Sequence, residues 1–377
     1  QRFDDDVEFA TRARENVVKL QSGDKQCLQL WKSFIDVSIR HCQELYQKLN
    51  ITLTESDIVP ESFYNNKLAG VIESLDSQGL LTLSDGARCV FLNDFKNKEG
   101  EALPTIVQKS DGGFLYATTD LAGIEYRCNN LHADRVLYVV DARQGLHFQQ
   151  VFAVAKLADL AKEECSLEHL SYGTMMDKGG KPFKTRSGGT IKLVDLIKEG
   201  IERAHKQVEA KNPDLTELEK QKIAEVVGIS AIKYADLSKN RNSDYIFDWD
   251  SMLSFEGNTA PYMLYAYARI CSIFRRDELD IEGDYNIIVH GTEEKELALK
   301  LLQFTEVVDA MLVECFPNQV CLYLYELAGT FMSFYEACPV LKSEGETKQS
   351  RLGLCQITAL TLKQGLSLLG INTLDKM

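Results

Sequence analysis

Apolar positions recur at helical spacing over the first fifty residues, from about Val7 to Leu49, where Leu30, Phe34, Val37 and Cys42 fall on one stripe. Ser22-Gly23-Asp24 interrupts the pattern, so it predicts two amphipathic helices that serve as scaffold. Between Ile51 and Leu115 the period shortens. Strands are expected at Leu80–Leu83, Cys89–Leu92, Thr105–Gln108 and Phe114–Ala117, separated by turns at Asp85-Gly86, Lys98-Glu99-Gly100 and Asp111-Gly112-Gly113. A helix is expected to begin near Thr118-Thr119-Asp120, residues suited to an N-cap.

The run Arg135-Val136-Leu137-Tyr138-Val139-Val140 predicts a buried strand, followed by a helix over Gln144–Leu160 and a strand over His169–Met176. Strand, helix and strand at this spacing predict a parallel βαβ unit. Beyond Gly189 the pattern is almost wholly helical, over Lys192–Ala210, Glu217–Leu237, Pro261–Arg276, Glu293–Cys315, Gln319–Tyr335 and Thr347–Leu369. The predicted fold class is therefore α/β plus all-α, with the division at residues 1–191 and 192–377.

Composition narrows the classes of function. Of 377 residues, 45% are hydrophobic and 26% charged, with 7 prolines, which excludes a disordered or collagen-like chain. No apolar run approaches the ~20 residues of a membrane span, so no membrane partner is expected. The first residues, Gln1-Arg2-Phe3-Asp4-Asp5-Asp6, include no initiator Met and no signal-peptide core, which is expected of a piece of a longer chain. The ten cysteines form no CxxC pair, and reduced thiols in the cytoplasm with no protein metal site are expected. A net charge of −14 argues against bulk binding of a polyanion, although a local basic site could still serve one.

Such a site stands at Lys178–Lys192, where five cations, four glycines and no anion occupy fifteen residues. Glycine lets backbone approach a ligand, and Lys184 and Arg186 can neutralise phosphate charge. A solvated basic loop has the same composition. Its position after a predicted strand and before a helix is where nucleotides bind in parallel α/β sheets.

The segment Tyr172-Gly173-Thr174-Met175-Met176, followed by Pro182-Phe183-Lys184-Thr185-Arg186-Ser187-Gly188-Gly189-Thr190, resembles the degenerate KMSKS loop of arginyl-tRNA synthetases of the bacterial type. Phe183 to Arg186 take the signature's place and Pro182 falls on its usual first lysine, so Lys181 and Lys184 are the candidates for that lysine's work. Similar wording recurs in order at Val17–Asp24, Tyr116–Asp120, Leu131–Val136, Lys233–Asn240 and Phe255–Tyr262. None of the six histidines lies in a His-x-Gly-His setting, so the family's HIGH sequence and its amino-terminal domain are not in this chain. The resemblance thus covers the carboxy-terminal two thirds of such an enzyme.

The resemblance implies ATP-dependent activation of arginine and its transfer to tRNA(Arg), with Mg2+ accompanying ATP, by a cytoplasmic monomer. A chain lacking the HIGH sequence is expected to be inactive alone. The alternatives are a truncated paralogue that binds tRNA without aminoacylating it, and another class I synthetase or nucleotidyl transferase that shares the loop. By resemblance Tyr116, Asp120 and Gln144 bind arginine, suiting a guanidinium that wants a carboxylate fork and an aromatic face. Lys181, Lys184 and Arg186 are the implied catalytic cations. His147, Gly173, Met175, Met176, Phe183 and Lys184 are the implied ATP contacts. The helical half resembles the family's anticodon-binding domain, with Tyr262, Tyr265 and Arg269 at i, i+3 and i+7 and the terminal Met377 beside them. Without the resemblance, Asp120 reads first as a helix cap, Tyr116 as a core residue and the tyrosines of the helical half as a core stripe.

Overall fold

A computed structural model describes residues 2–21, 23–183, 192–276 and 278–377. The chain divides into two compact units, residues 1–58 with 370–372, and residues 59–369 with 373–377. The first unit carries α1 (Arg2–Asp5), α2 (Val7–Gln21) and α3 (Lys25–Lys48). Gly23 turns the chain at φ +85°, a conformation that disfavours side chains, and Asp24 caps α3 by accepting the Cys27 N–H at 2.9 Å. Ser22, the first residue of the expected interruption, lies outside the described residues. The stripe on α3 is real but uncovered among the described residues, with Leu30 and Val37 about half exposed and Phe34 about two thirds.

The second unit opens with α4 (Leu68–Ser77) and an antiparallel sheet of β1 (Thr82–Ser84), β2 (Ala87–Val90) and β3 (Thr105–Gln108), joined by the expected Asp85-Gly86 turn. The fourth expected strand does not form. Phe114 makes a single bridge to Gln108, and α5 (Tyr116–Glu125) starts at once. The buried Thr118 hydroxyl donates to the Val107 carbonyl and ties the first turn of α5 to β3. Asp120 therefore sits in the second turn of α5 and is not its cap; Leu115 precedes the helix in extended conformation.

β4 (Arg135–Asp141), α6 (Gly145–Leu157) and β5 (Ser166–Tyr172) form the expected parallel unit, in register from Arg135 opposite Ser166 to Asp141 opposite Tyr172. Leu75, Val107, Leu121, Ile124, Val151 and Val154 close the core between these layers. Each such side chain contributes roughly 1.5–3 kcal/mol through burial. The last expected strand ends early: β5 stops at Tyr172, and β6 (Met175–Met176) pairs in parallel with β7 (Tyr245–Ile246), which follows α7 (Leu193–Lys211) and α8 (Glu217–Leu237). Those two helices touch backbone to backbone: a Cβ on Gly228 would stand 2.7 Å from the Gly200 carbonyl, so α8 needs glycine there.

After α9 (Trp249–Met252) come α10 (Ala260–Arg276), α11 (Thr292–Leu302), α12 (Phe304–Glu314), α13 (Pro317–Ala337) and α14 (Gly345–Leu368). The single helix expected over Glu293–Cys315 is two, divided at Gln303. Their shared core holds Met263, Leu264, Ile270, Leu297, Leu324, Phe331, Phe334 and Leu362, all fully buried. The Tyr234 hydroxyl, also buried, lies 2.6 Å from Asn258 Oδ1 and 2.9 Å from the Cys321 carbonyl.

Two arginines fasten this bundle to the parallel strands. Arg135 on β4 forms a two-pronged ion pair with Glu168 on β5, 2.6 Å at each prong, and donates to the Leu312 and Val313 carbonyls at the end of α12. Arg241 donates to the Cys315 and Ser171 carbonyls and stacks over Phe316. Guanidinium groups suit a helix C-terminus, where unpaired carbonyls carry the negative end of the macrodipole.

Candidate functional site

Tyr116 and Asp120 lie one turn apart on α5, at i and i+4, and so share a face. Tyr116 was expected on a strand end; as the first residue of α5 its ring is instead 73% exposed, held out by the helix rather than by the sheet. α6 packs against α5. From the first turn of α6, His147 brings Nε2 to 2.7 Å from Asp120 Oδ2, with both side chains about one third exposed. Gln144, expected to open the helix over Gln144–Leu160, instead precedes α6. It is exposed, and it closes the short 3-10 turn Ala142–Gln144 that leads from β4 into α6.

Asp141 anchors that turn. Its carboxylate accepts from the Arg143 guanidinium and N–H at 2.7–2.8 Å, and these bonds draw its pKa down to about 2. Behind the site, Arg127 donates to the Tyr138 hydroxyl at 3.0 Å, while burial pushes that phenol above its ordinary range.

The second group of predicted residues surrounds β6. The Gly173 N–H donates to the Arg241 carbonyl at 2.7 Å, and a Cβ at Gly173 would fall 2.5 Å from the Ser243 backbone. Only glycine admits this approach. The Met175 carbonyl accepts from the Phe183 N–H and the Met176 carbonyl from the Phe247 N–H, and the Phe183 ring lies 4.6 Å from that of Phe247. Asp177 folds the intervening turn: its Oδ1 accepts from the N–H groups of Gly179 and Lys181. Lys178 pairs with Asp248 at 2.9 Å, which raises the lysine's pKa, whereas the Lys181 side chain is exposed. Lys184 and Arg186, with residues 184–191 generally, lie outside the described residues.

In the helical half, Tyr265, Arg269 and Met377 line one cleft of about 340 Å³. Arg275, Arg276, Lys376 and Tyr335 complete it, so four cations and no carboxylate side chain face the space. Arg269 stacks 5.1 Å from the Tyr335 ring centroid. The final residues are pinned there by Asp375, which accepts from the Tyr267 hydroxyl at 3.2 Å and, through its carbonyl, from Arg275. Tyr262 stands apart. It is ~10 Å from Arg269 along the helix at ~1.5 Å per residue, and its ring packs edge-on against Tyr325.

Local sequence gave no sign of Tyr335 or Arg241 as members of these sites. The Arg275-Arg276 pair closing a helix is a further signal of the basic cleft, beside Arg269.

A parallel crossover, a glycine-rich and cation-rich stretch of sequence after its second strand, and then a helical bundle with an open basic cleft define an α/β protein joined to a helical module. The family profile described as tRNA synthetases class I (R), catalytic domain, matches residues 1–249, and the DALR anticodon binding domain profile matches residues 263–377. The chain belongs to the class I arginyl-tRNA synthetase family.

It is 59% identical over 379 residues to a protein of Psychromonas ingrahamii named arginine–tRNA ligase, and 58% identical over 378 residues to one of Shewanella halifaxensis bearing the same name. Both alignments take in all of this chain and 65% of the relative, so the chain spans about two thirds of the length of these curated relatives. The structure resembles arginyl-tRNA synthetase from Plasmodium falciparum with a TM-score of 0.84 at 34% identity, over 98% of this chain and 62% of that one. It shares its fold with the Thermus thermophilus arginyl-tRNA synthetase, with a TM-score of 0.74 at 24% identity over 95% of this chain and 68% of that one. Among the described residues, no helix is long and apolar enough to cross a membrane.

Proposed function

We propose that this chain serves an arginine–tRNA ligase, in which residues 1–191 contribute to substrate chemistry and residues 192–377 to reading tRNA(Arg). The observation that carries the reading is the pairing of a partly open carboxylate, Asp120, with the exposed Tyr116 on one helical face. That pair supplies the anion and the aromatic surface that a guanidinium seeks. Gln144 adds an amide at the mouth of the neighbouring helix.

In the reaction, an oxygen of the arginine carboxylate attacks the α-phosphorus of ATP, the bond to pyrophosphate breaks, and arginyl-adenylate forms. A terminal ribose hydroxyl of tRNA then attacks the activated carbonyl, loses its proton and displaces AMP. The protein's work is positioning and charge stabilisation, with no covalent nucleophile. Lys181, Lys184 and Arg186 neutralise phosphate charge, Mg2+ enters with ATP, and Gly173, Met175, Met176, Phe183 and His147 border the nucleotide. Tyr265, Arg269 and Met377, with Tyr262 further along the helix, meet unpaired anticodon bases, which stack on aromatic and guanidinium faces. The expected setting is a cytoplasmic monomer.

Arginine-dependent ATP–pyrophosphate exchange by the intact protein tests the reading. Exchange that ignores arginine would overturn it, and tRNA binding with no exchange would support a non-catalytic tRNA binder. Replacing Lys184 or Arg186 should slow exchange more than it weakens arginine binding.

A further inference from the structure

We propose that His147 is a positioning residue for the amino-acid substrate, acting through Asp120 to orient the carboxylate that receives the guanidinium. The proposal rests on the reading of Asp120 given above. A carboxylate is an acceptor, so the 2.7 Å contact requires a hydrogen of the imidazole on Nε2. An aspartate's last torsion is broad and roughly two-fold, so nothing in its own chain fixes the carboxylate plane. Two-pronged recognition of a guanidinium depends on that plane. The bond from Nε2 to Oδ2 fixes it and leaves Oδ1 without this imidazole contact.

The imidazole can do this because it is itself supported. His147 lies edge-on to Phe148, with ring centroids 5.2 Å apart, and Phe148 is 4% exposed. Phe148 in turn packs against Tyr138 at 4.9 Å, His169 at 5.0 Å and Phe152 at 5.7 Å. His169 is occupied elsewhere, with Nε2 3.0 Å from the Val140 carbonyl. The chain thus runs from a buried aromatic shelf through His147 to Asp120.

The test measures kcat and the KM values for arginine and ATP by pyrophosphate exchange in the intact enzyme, with arginine affinity by calorimetry for variants that turn over too slowly. His147→Ala should raise the arginine KM roughly tenfold, the loss of about one oriented hydrogen bond to a charged group. The arginine KM should rise by more than any change in the ATP KM or kcat, because His147 is also placed beside the nucleotide. His147→Gln, whose amide can replace Nε2–H, should recover most of the loss. On an Asp120→Ala background, His147→Ala should add nothing. An unchanged arginine KM in His147→Ala, a glutamine variant as impaired as alanine, or an effect confined to ATP would overturn the proposal. If Asp120→Ala itself leaves arginine binding unchanged, the underlying reading of Asp120 fails instead.

Discussion

Asp120 in the α/β part and Glu294 in the helical part are both carboxylates held at 2.7 Å by a nitrogen-bearing side chain, yet their surroundings give them opposite roles. Glu294 is 3% exposed, and it accepts from Arg351 Nε and from the His290 and Gly291 N–H groups. Burial alone would push its pKa up, but these donors together hold it below the ordinary value. Nothing outside the protein can reach it, so its charge pins α11 to α14. Asp120 keeps about a third of its surface open and, among the described residues, bonds to one imidazole. A charge sealed among internal donors is architecture, while one left partly open to solvent is available for recognition.

That contrast can be broken most forcefully at Glu294. Glu294→Ala leaves Arg351 without its carboxylate, although Arg351 also donates to Ser343 Oγ at 2.8 Å and to the Pro339 carbonyl. It should cost about 3 kcal/mol of stability in denaturant unfolding. A loss below about 1 kcal/mol, the range of an exposed pair, would erase the distinction. Asp120→Ala should do the reverse, raising the arginine KM on the order of 100-fold, as removal of a charged partner does, with the melting temperature and tRNA affinity unchanged. Destabilisation comparable to that of Glu294→Ala would make Asp120 structural.

The tyrosines sharpen the comparison within one helix. Tyr265→Ala should weaken tRNA binding about tenfold, the worth of roughly one stacked base, and Tyr262→Ala by less. Equal losses would mean that the cleft holding Arg269 and Met377 is not where the RNA stacks. The smallest effect is on pH. Because the folded pKa of Glu294 lies below its unfolded value, its stabilisation is fully present above the unfolded pKa and is lost as pH falls through the folded one. The stability of the helical half should therefore decline below about pH 4, under the ordinary glutamate value. Glu294→Gln should flatten that decline as followed by circular dichroism.

Much of this architecture is legible in the chain. The β4–α6–β5 unit, the Asp85-Gly86 turn and α8 over Glu217–Leu237 follow from periodicity and turn residues within a few positions of one another. Phe114-Leu115-Tyr116-Ala117 misleads, because a short apolar run serves a buried strand and the first turn of a helix equally well. What decides it is the bond from Thr118 to Val107, on a strand eleven residues earlier. The division at Gln303 likewise carries no glycine or proline to announce it.

The sites show the same limit. Tyr116 and Asp120 stand close in the chain, and their shared helical face follows from spacing once the helix start is known. The bond between Asp120 and His147 spans twenty-seven residues. Tyr335 reaches the cleft of Arg269 from another helix, and Arg241 reaches Gly173 from beyond α8. Helical periodicity, turn chemistry and the density of charge in the Lys178–Lys192 window are properties of neighbours, which a linear sequence states outright. Which oxygen of Asp120 is already taken, which tyrosine lines the basic cleft and which carboxylate is sealed from water depend on how separate elements pack. Only the tertiary structure decides them, because close packing brings side chains from distant stretches of chain to within bonding distance.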